Sequence, residues 1–402
     1  MIRTALRAVL ITSFLAFPLV LPDDTRAEER RRRPGQPHAG YAYPAGAQVG
    51  TTVRVAIGGQ SLRQVEEIRF TGGGVTAKIL YWIPPPRPID AMYRRELMRR
   101  IRILRARRAP VTTGDTAREP IPPPKKGKAI ELPKHPLLDR LEELTHEELE
   151  EAQRYFFQRR NPLQRKRAIE ETVKVDLTIA PDAEPGLRDL RLVTKAGLSN
   201  PLRFHIDLLP EKKEREPNDP DVQPGAIYDL PFVVNGQILP NDVDRHRFRA
   251  KAGQKLVMRA EARTLIPYQA DSVPGWMQAT LTLYDAAGKE VAYADEYRFD
   301  PDPVLFYEVP ADGEYELEVR DAIARGRDDF VYRVAIGELP FIQRVFPLGG
   351  RCGELTRVEV AGWNLRQTKL PLDTRACTGG MRRAAWRQQD MMTNDVAYAV
   401  DD

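Results

Sequence analysis

Apolar and polar positions alternate with a period of two through most of this chain, which is the signature of half-buried strands. Val53, Val55 and Ile57 flank polar Arg54, and Leu202, Phe204 and Ile206 alternate with Arg203, His205 and Asp207. His246, Phe248 and Ala250 alternate with Arg245, Arg247 and Arg249; Tyr315, Leu317 and Val319 alternate with Glu316, Glu318 and Arg320. Each such strand has one apolar and one wet face, as a two-layer sandwich requires. Further short strands are predicted over residues 75–82, 173–179 and 190–193. Gly and Pro punctuate the joints, and Asp285 with Gly288, and Asp312 with Gly313, are tight-turn chemistry. Gly72-Gly73-Gly74 follows a strand and reads as a turn or bulge.

Residues 84–170 break this pattern. Pro84-Pro85-Pro86 opens the segment and Pro122-Pro123-Pro124 divides it. Tyr93, Leu97, Ile101 and Leu104 step at helical spacing, with Arg on the other faces. Thr145-His146-Glu147-Glu148 is a capping box, in which the Thr hydroxyl accepts from the Glu148 amide while Glu148 reaches back. Leu149, Ala152 and Phe156 then form an apolar stripe. The expected fold is mainly β: serial β-sandwiches with an α-helical insertion in the first.

The chain also contains a repeat. Residues 43–63 read YPAGAQVGTTVRVAIGGQSLR and residues 346–366 read FPLGGRCGELTRVEVAGWNLR, at a constant offset of 303. Pro44, Gly46, Gly50, Arg54, Val55, Gly59, Leu62 and Arg63 recur identically. Residues 199–208 (SNPLRFHIDL) match residues 393–402 (TNDVAYAVDD) at an offset of 194. The copies share both ends and differ in the middle by 109 residues, so the first copy holds a long insertion. The string P-x-G-x-x-x-G-x-x-V-x-V-x-x-x-G-x-x-L from Pro44 to Leu62, with Gly197-Leu198-Ser199-Asn200 before a closing strand, resembles the immunoglobulin-like, plexin and transcription-factor type of domain (IPT/TIG). The resemblance spans residues 38–83 with 171–210, and a shorter second copy at 343–402. The first copy continues into the next module, so the chain is expected to be the front of a longer array or a shortened relative of one.

Between the copies lies a run of spaced landmarks. They are Glu216-Pro217-Asn218-Asp219, Asn241-Asp242-Val243-Asp244 leading to His246 and Phe248, then Leu283-Tyr284-Asp285 with Gly288, and Asp312-Gly313 before Tyr315. In this order they resemble a bacterial pre-peptidase C-terminal domain, which implies a jelly-roll-like sandwich over 214–338. Glu216, Asn218, Asp219, Asp242 and Asp244 are hard oxygen donors. If the 216–219 segment packs beside the turn at Asp242, four carboxylates converge and repel unless a cation neutralises them; calcium, which takes about 6–8 oxygens, suits such a set. The resemblance likewise implies calcium at these positions. The alternative is that Asp242 and Asp244 cap a turn and Glu216 is a linker charge. Asn241 stands where relatives often show Gly, and His246 where an aromatic residue is common.

Composition narrows the function. With 402 residues the chain has room for two to four domains, and two Cys exclude a disulfide-dense scaffold or a four-Cys zinc site. Cys352 and Cys377 both fall in the last module. In an oxidising compartment they would pair, closing a loop worth about 3 kcal/mol; the alternative is two free thiols, since Val49 fills the position of Cys352 in the first copy. Arg3 and Arg7 precede an apolar run over residues 8–21, and Thr25-Arg26-Ala27 places small residues where a signal peptidase reads. Residues 1–27 are therefore read as a signal peptide, although Arg30 to Arg33 oppose translocation and leave an uncleaved anchor as the alternative. The protein is expected to be secreted, periplasmic or on the cell surface.

The net charge is only +5, but residues 84–170 hold 21 basic and 13 acidic side chains. That insertion offers contact with a polyanion, or is a solvated helical pair whose Arg stems cover apolar surface. No catalytic motif is present. His146-Glu147-Glu148-Leu149-Glu150 lacks the second His of a zinc peptidase, and neither a Gly-x-Ser-x-Gly elbow nor a phosphate loop occurs. The expectation is a non-catalytic binding protein whose partner is an extracellular protein or glycan rather than nucleic acid. An accessory part of a secreted peptidase or hydrolase, and a structural spacer, are the rivals.

Overall fold

Strands form where the alternation predicts them, in a computed structural model that describes residues 35–108, 130–157, 166–215, 226–267, 276–375 and 379–401. Residues 1–27, read from the sequence as a signal peptide, lie outside the described residues. Among the described residues no helix is long and apolar enough to cross a membrane.

The first sandwich opens with β1 (His38–Tyr43), β2 (Gly46–Gln48), β3 (Thr52–Gln60), β4 (Val65–Phe70) and β5 (Val75–Ile83). After the insertion it closes with β6 (Glu171–Ile179), β7 (Gly186–Thr194), β8 (Gly197–Leu198) and β9 (Leu202–Asp207). Its sheets run β1-β3-β6-β5 and β2-β9-β7-β4. Val55, Ile57, Val173, Val175, Leu190, Leu192 and Phe204 fill the space between them.

The insertion folds as α1 (Ala91–Arg108), the single turn α2 (Pro136–Asp139) and α3 (His146–Phe157). Leu97, Ile101 and Leu104 of α1 meet Leu149, Ala152 and Phe156 of α3 in a separate small core. The capping box forms as its spacing predicts: the Glu148 N–H donates to Thr145 Oγ1 at 3.2 Å and the Thr145 N–H to Glu148 Oε2 at 2.8 Å. Much of the local charge is paired within the fold. Arg54 of β3 bridges Glu148 at 3.0 Å and Asp176 at 2.9 Å, Lys174 binds Glu151, and Arg105 binds Glu150.

The middle sandwich comprises β10 (Glu211–Lys213), β11 (Ile227–Tyr228), β12 (Phe232–Gln237), β13 (Asp244–Ala250) and β14 (Lys255–Glu261). It continues through β15 (Ala279–Tyr284), β16 (Glu290–Ala294), β17 (Val304–Glu308), β18 (Gly313–Asp321) and β19 (Val331–Gly337). Two five-stranded sheets result, β10-β12-β19-β14-β17 and β11-β13-β18-β15-β16. On the wet face of β13 and β18, Arg245 bridges Glu316 and Glu318 at 2.7 and 2.8 Å, and Arg247 bridges Glu314 at 2.6 Å. The apolar core is not self-contained: Tyr41, Tyr43, Ala45 and Ile169 of the preceding module join Phe232, Val234, Phe248 and Leu317 in one buried cluster.

The last module has β20 (Phe341–Phe346), β21 (Gly349–Arg351), β22 (Leu355–Trp363), β23 (Lys369–Asp373) and β24 (Gly380–Ala384), then β25 (Arg387–Gln388), β26 (Met391–Met392) and β27 (Val396–Asp401). Its opening and closing strands reproduce those of the first module position by position. The β1–β3 register pairs His38 with Gln60 and bulges between Ala39 and Tyr41; the β20–β22 register pairs Phe341 with Trp363 and bulges between Ile342 and Arg344. The Asn200 side chain accepts from Ala39 N at 2.9 Å and donates to Ala39 O at 2.8 Å; Asn394 does the same with Ile342 at 2.6 and 3.1 Å. Ser199 Oγ accepts from Leu192 N as Thr393 Oγ1 accepts from Trp386 N, both at 2.9 Å.

The difference between the copies is larger than the helical segment at 84–170. In the first, β3 and β6 are adjacent in the sheet but joined through β4, β5 and the helices; in the last, β22 runs directly into its neighbour β23. The excursion thus supplies one edge strand to each sheet. Without it the last module has three-stranded sheets, β20-β22-β23 and β21-β27-β24. Cys352, just past β21, is disulfide-bonded, and Cys377 lies outside the described residues.

Candidate functional site

Where the first module meets the middle one, ionisable groups are buried together. Glu214, just past β10, and Asp244, the first residue of β13, are both closed to solvent. The Tyr43 hydroxyl at the end of β1 donates to Glu214 Oε1 at 2.7 Å, and the Gln237 N–H donates to the same oxygen at 2.8 Å. The Tyr332 hydroxyl donates to Asp244 Oδ2 at 2.6 Å and lies 2.8 Å from His246 Nε2. Asp244 Oδ1 is buried with no hydrogen-bond partner, which costs about 1–3 kcal/mol for a polar atom left dry.

Burial governs the electrostatics. It raises the Glu214 carboxyl to about 7, with the Asp242 charge adding to the rise. It pushes Asp244 well above the usual carboxylate range, reinforced by the charges of Glu214 and Asp242. It lowers His246 to about 4, so the imidazole is neutral. Burying two carboxyls side by side favours their protonated forms unless a cation takes the place of the protons.

Asn241 is compatible with the turn it occupies. Asn241 adopts φ 66°, the left-handed conformation that Gly would take and that Asn tolerates. The Asp242 N–H closes the turn on Leu239 O at 3.1 Å, while the Leu239 N–H donates to Asp242 Oδ2 at 2.9 Å. Of the five donors read from sequence, Asp242 caps this turn and Asp244 sits in the buried cluster. Glu216, Asn218 and Asp219 lie outside the described residues. Among the described residues no three His, Cys, Asp or Glu side chains form a metal-holding group.

Sequence reading missed Glu214, Tyr43 and Tyr332. Glu214 had a signal, because it lies two residues before the Glu216 landmark in the same acidic stretch. Tyr43 and Tyr332 had none, since a Tyr on an alternating strand reads as ordinary core.

Beside this cluster a cavity of about 920 Å³ opens between α3, β1, β6 and the loops at 237–241 and 324–330. Tyr41, Tyr43, Tyr155 and Phe330 give it aromatic walls, and Glu151, Lys174, Arg154 and Arg327 give it charge of both signs. Burial works against ionisation of Glu151, but Lys174 and Lys213 hold its carboxyl down at about 2. Arg325 and Arg327 stack on the Phe330 ring at 5.4 and 4.8 Å. The described lining contains no His, Ser or Cys.

No family profile matches the chain. A probable subtilase-type serine protease of Deinococcus radiodurans is 34% identical over 129 residues, covering 28% of this chain and 16% of that protein. The chain therefore spans a small part of the length of that relative. Among solved structures, a pre-peptidase C-terminal domain of collagenase from Bacillus anthracis aligns at 13% identity over 29% of this chain and 99% of its own, with a TM-score of 0.21. PliG, a periplasmic inhibitor of g-type lysozyme from Aeromonas hydrophila, aligns at 14% identity over 32% of this chain and 97% of its own, also at 0.21. The fold itself defines a mainly β protein built of sandwiches in series.

Proposed function

We propose that this chain is an exported, non-catalytic binding protein, with calcium stabilising the middle module and the junctional cleft receiving an extracellular protein or glycan. The observation that carries the binding reading is the cleft, where aromatic rings and fixed charges of both signs meet and the described lining holds no serine, cysteine or histidine. The metal reading rests on the orphaned Asp244 Oδ1 beside the Glu214 carboxyl. In it Asp242 and Asp244 supply hard oxygens and Glu216, Asn218 and Asp219 complete the set, while bound calcium neutralises the buried carboxylates. Export, the IPT/TIG character of the flanking modules and a Cys352–Cys377 pairing belong to the same reading.

Calcium titration of the chelated full chain tests the metal. Binding to the folded state alone should raise the melting temperature by a few degrees at millimolar calcium, and Asp244→Asn should abolish the rise. No shift would remove calcium from the proposal. Glycan and peptide arrays test the cleft, with Tyr155→Ala and Arg154→Ala expected to weaken any hit at least tenfold; equal binding by the variants would move the ligand elsewhere.

A second reading, an accessory segment of a secreted peptidase, is favoured by the 129-residue similarity to a probable subtilase-type protease. It predicts that the chain binds a peptidase or its substrate and has no peptidase activity alone.

A further inference from the structure

The two copies of the repeat differ in what covers them. In the first, the end of β1 with the start of β2 is a docking face. Tyr43 and Ala45 are 8% and 2% exposed because they lie in the core of the middle sandwich. The Ala45 N–H donates to Asn235 Oδ1 at 3.1 Å. Arg333 of β19, itself fully buried, lies against Gly46, where a side chain would collide with its guanidinium. From there Arg333 reaches Asp207 of β9 at 3.3 Å and Glu211 and Glu261 at 2.5 Å each.

In the last copy the same positions face solvent. Phe346 stands for Tyr43 and is 73% exposed; Leu348 stands for Ala45 and is 69% exposed. Gly349 occupies the place of Gly46, and Asp401, exposed at the end of β27, the place of Asp207. The backbone framework is unchanged. The His205 N–H donates to Ala45 O at 2.9 Å and the Ala399 N–H to Leu348 O at 3.0 Å. Two large exposed apolar side chains, with a glycine and an exposed carboxylate beside them, therefore repeat a face whose use is visible elsewhere in the molecule.

We propose that the Phe346–Leu348–Asp401 face is a docking site for a further sandwich module of the kind spanned by residues 209–340, joined in series. Such a module brings an apolar strand to Phe346 and Leu348, and an arginine at the place of Arg333 to Asp401. This chain's own middle sandwich is not the occupant, because its matching face is filled by Tyr43 and Ala45.

The test is hydrogen exchange on the full chain with and without a second copy of residues 209–340 appended after Asp402. The expected result is at least tenfold slower exchange of the amides at 346–349 and 398–401 in the extended protein. That slowing should be lost with Phe346→Asp, a change at an exposed position that leaves the parent fold intact, and weakened by Arg333→Leu in the appended copy alone. Equal exchange at 346–349 with and without the extension would overturn the proposal. So would an appended copy that fails to fold, seen as a fast-exchanging half-population in peptides from 232–237, because docking should complete its core as the first module completes the existing one. Concentration-dependent protection of the same amides in the unextended chain would assign the face to self-association and overturn it as well.

Discussion

At the scale of single residues, the chemistry concentrates on Glu214 and Asp244, two carboxyls held dry beneath a module boundary. Glu214 stands at about 7 in the folded chain against 4.5 for an unperturbed carboxyl. A raised acid contributes stability that is complete below about pH 4.5 and is lost as the pH climbs through about 7. On the order of 3 kcal/mol is involved. Glu214→Gln removes that titration, so in chelator its stability relative to the parent should rise between about pH 5 and pH 8. Urea denaturation across that range measures it, and a constant difference would mean Glu214 does not titrate as described. Calcium should compensate the parent more strongly at the alkaline end, where the carboxyls must otherwise lose protons in a dry site.

Among the secondary-structure elements, most of the architecture is legible in the sequence, and the reasons are local. The alternation at Leu202, Phe204 and Ile206 yields β9 because its polar partners need only solvent or a neighbouring strand. The Thr145–Glu148 spacing yields the start of α3 because a capping box involves only four residues. Thr145→Ala should therefore cost about 1 kcal/mol, read as faster exchange of the first-turn amides of α3. The repeat was legible too, down to the Asn200 and Asn394 side chains that clamp the first strands. Periodicity did not show which strands the excursion adds. Residues 64–83 lie in the length difference between the copies, yet β4 and β5 complete both sheets of the first sandwich. The Glu214 cluster was invisible for another reason: its members come from positions 43, 214, 244, 246 and 332, and only the docking of two modules brings them together.

For the whole molecule, the modules adjoin through buried contacts rather than through open linkers. At the first junction Arg333 is the clamp, surrounded by Asp207, Glu211, Glu261 and His205, with His205 Nδ1 3.0 Å from Glu261. Arg333→Met would leave three carboxylates buried without their cation. The expected loss is about 3–5 kcal/mol, with the first and middle modules unfolding separately in calorimetry; a single unchanged transition would show that the apolar contacts suffice. At the second junction Phe306 packs against Phe341 and Trp363, each at 5.2 Å, and Asn364 donates to Lys255 O at 2.8 Å and Leu339 O at 3.1 Å. Among the described residues, rings and backbone carbonyls hold that boundary, one of the carbonyls, Gln343 O, accepting from the Arg298 guanidinium at 2.6 Å.

The direct passage from β22 to β23 gives the protein an internal template for trimming. Splicing the short Asn364–Thr368 connection between β3 and β6, in place of everything from β4 through α3, should yield a six-stranded first module like its counterpart. Tightening a loop of that length changes closure entropy by only about 0.6 kcal/mol per halving, so the main loss is the apolar surface that β4 and β5 cover. The shortened protein should keep the proposed calcium response and lose the cleft, since α3 forms one wall. Metal dependence and ligand capture would then be separable by a single deletion, and a trimmed chain still able to bind on the arrays would place recognition on another surface.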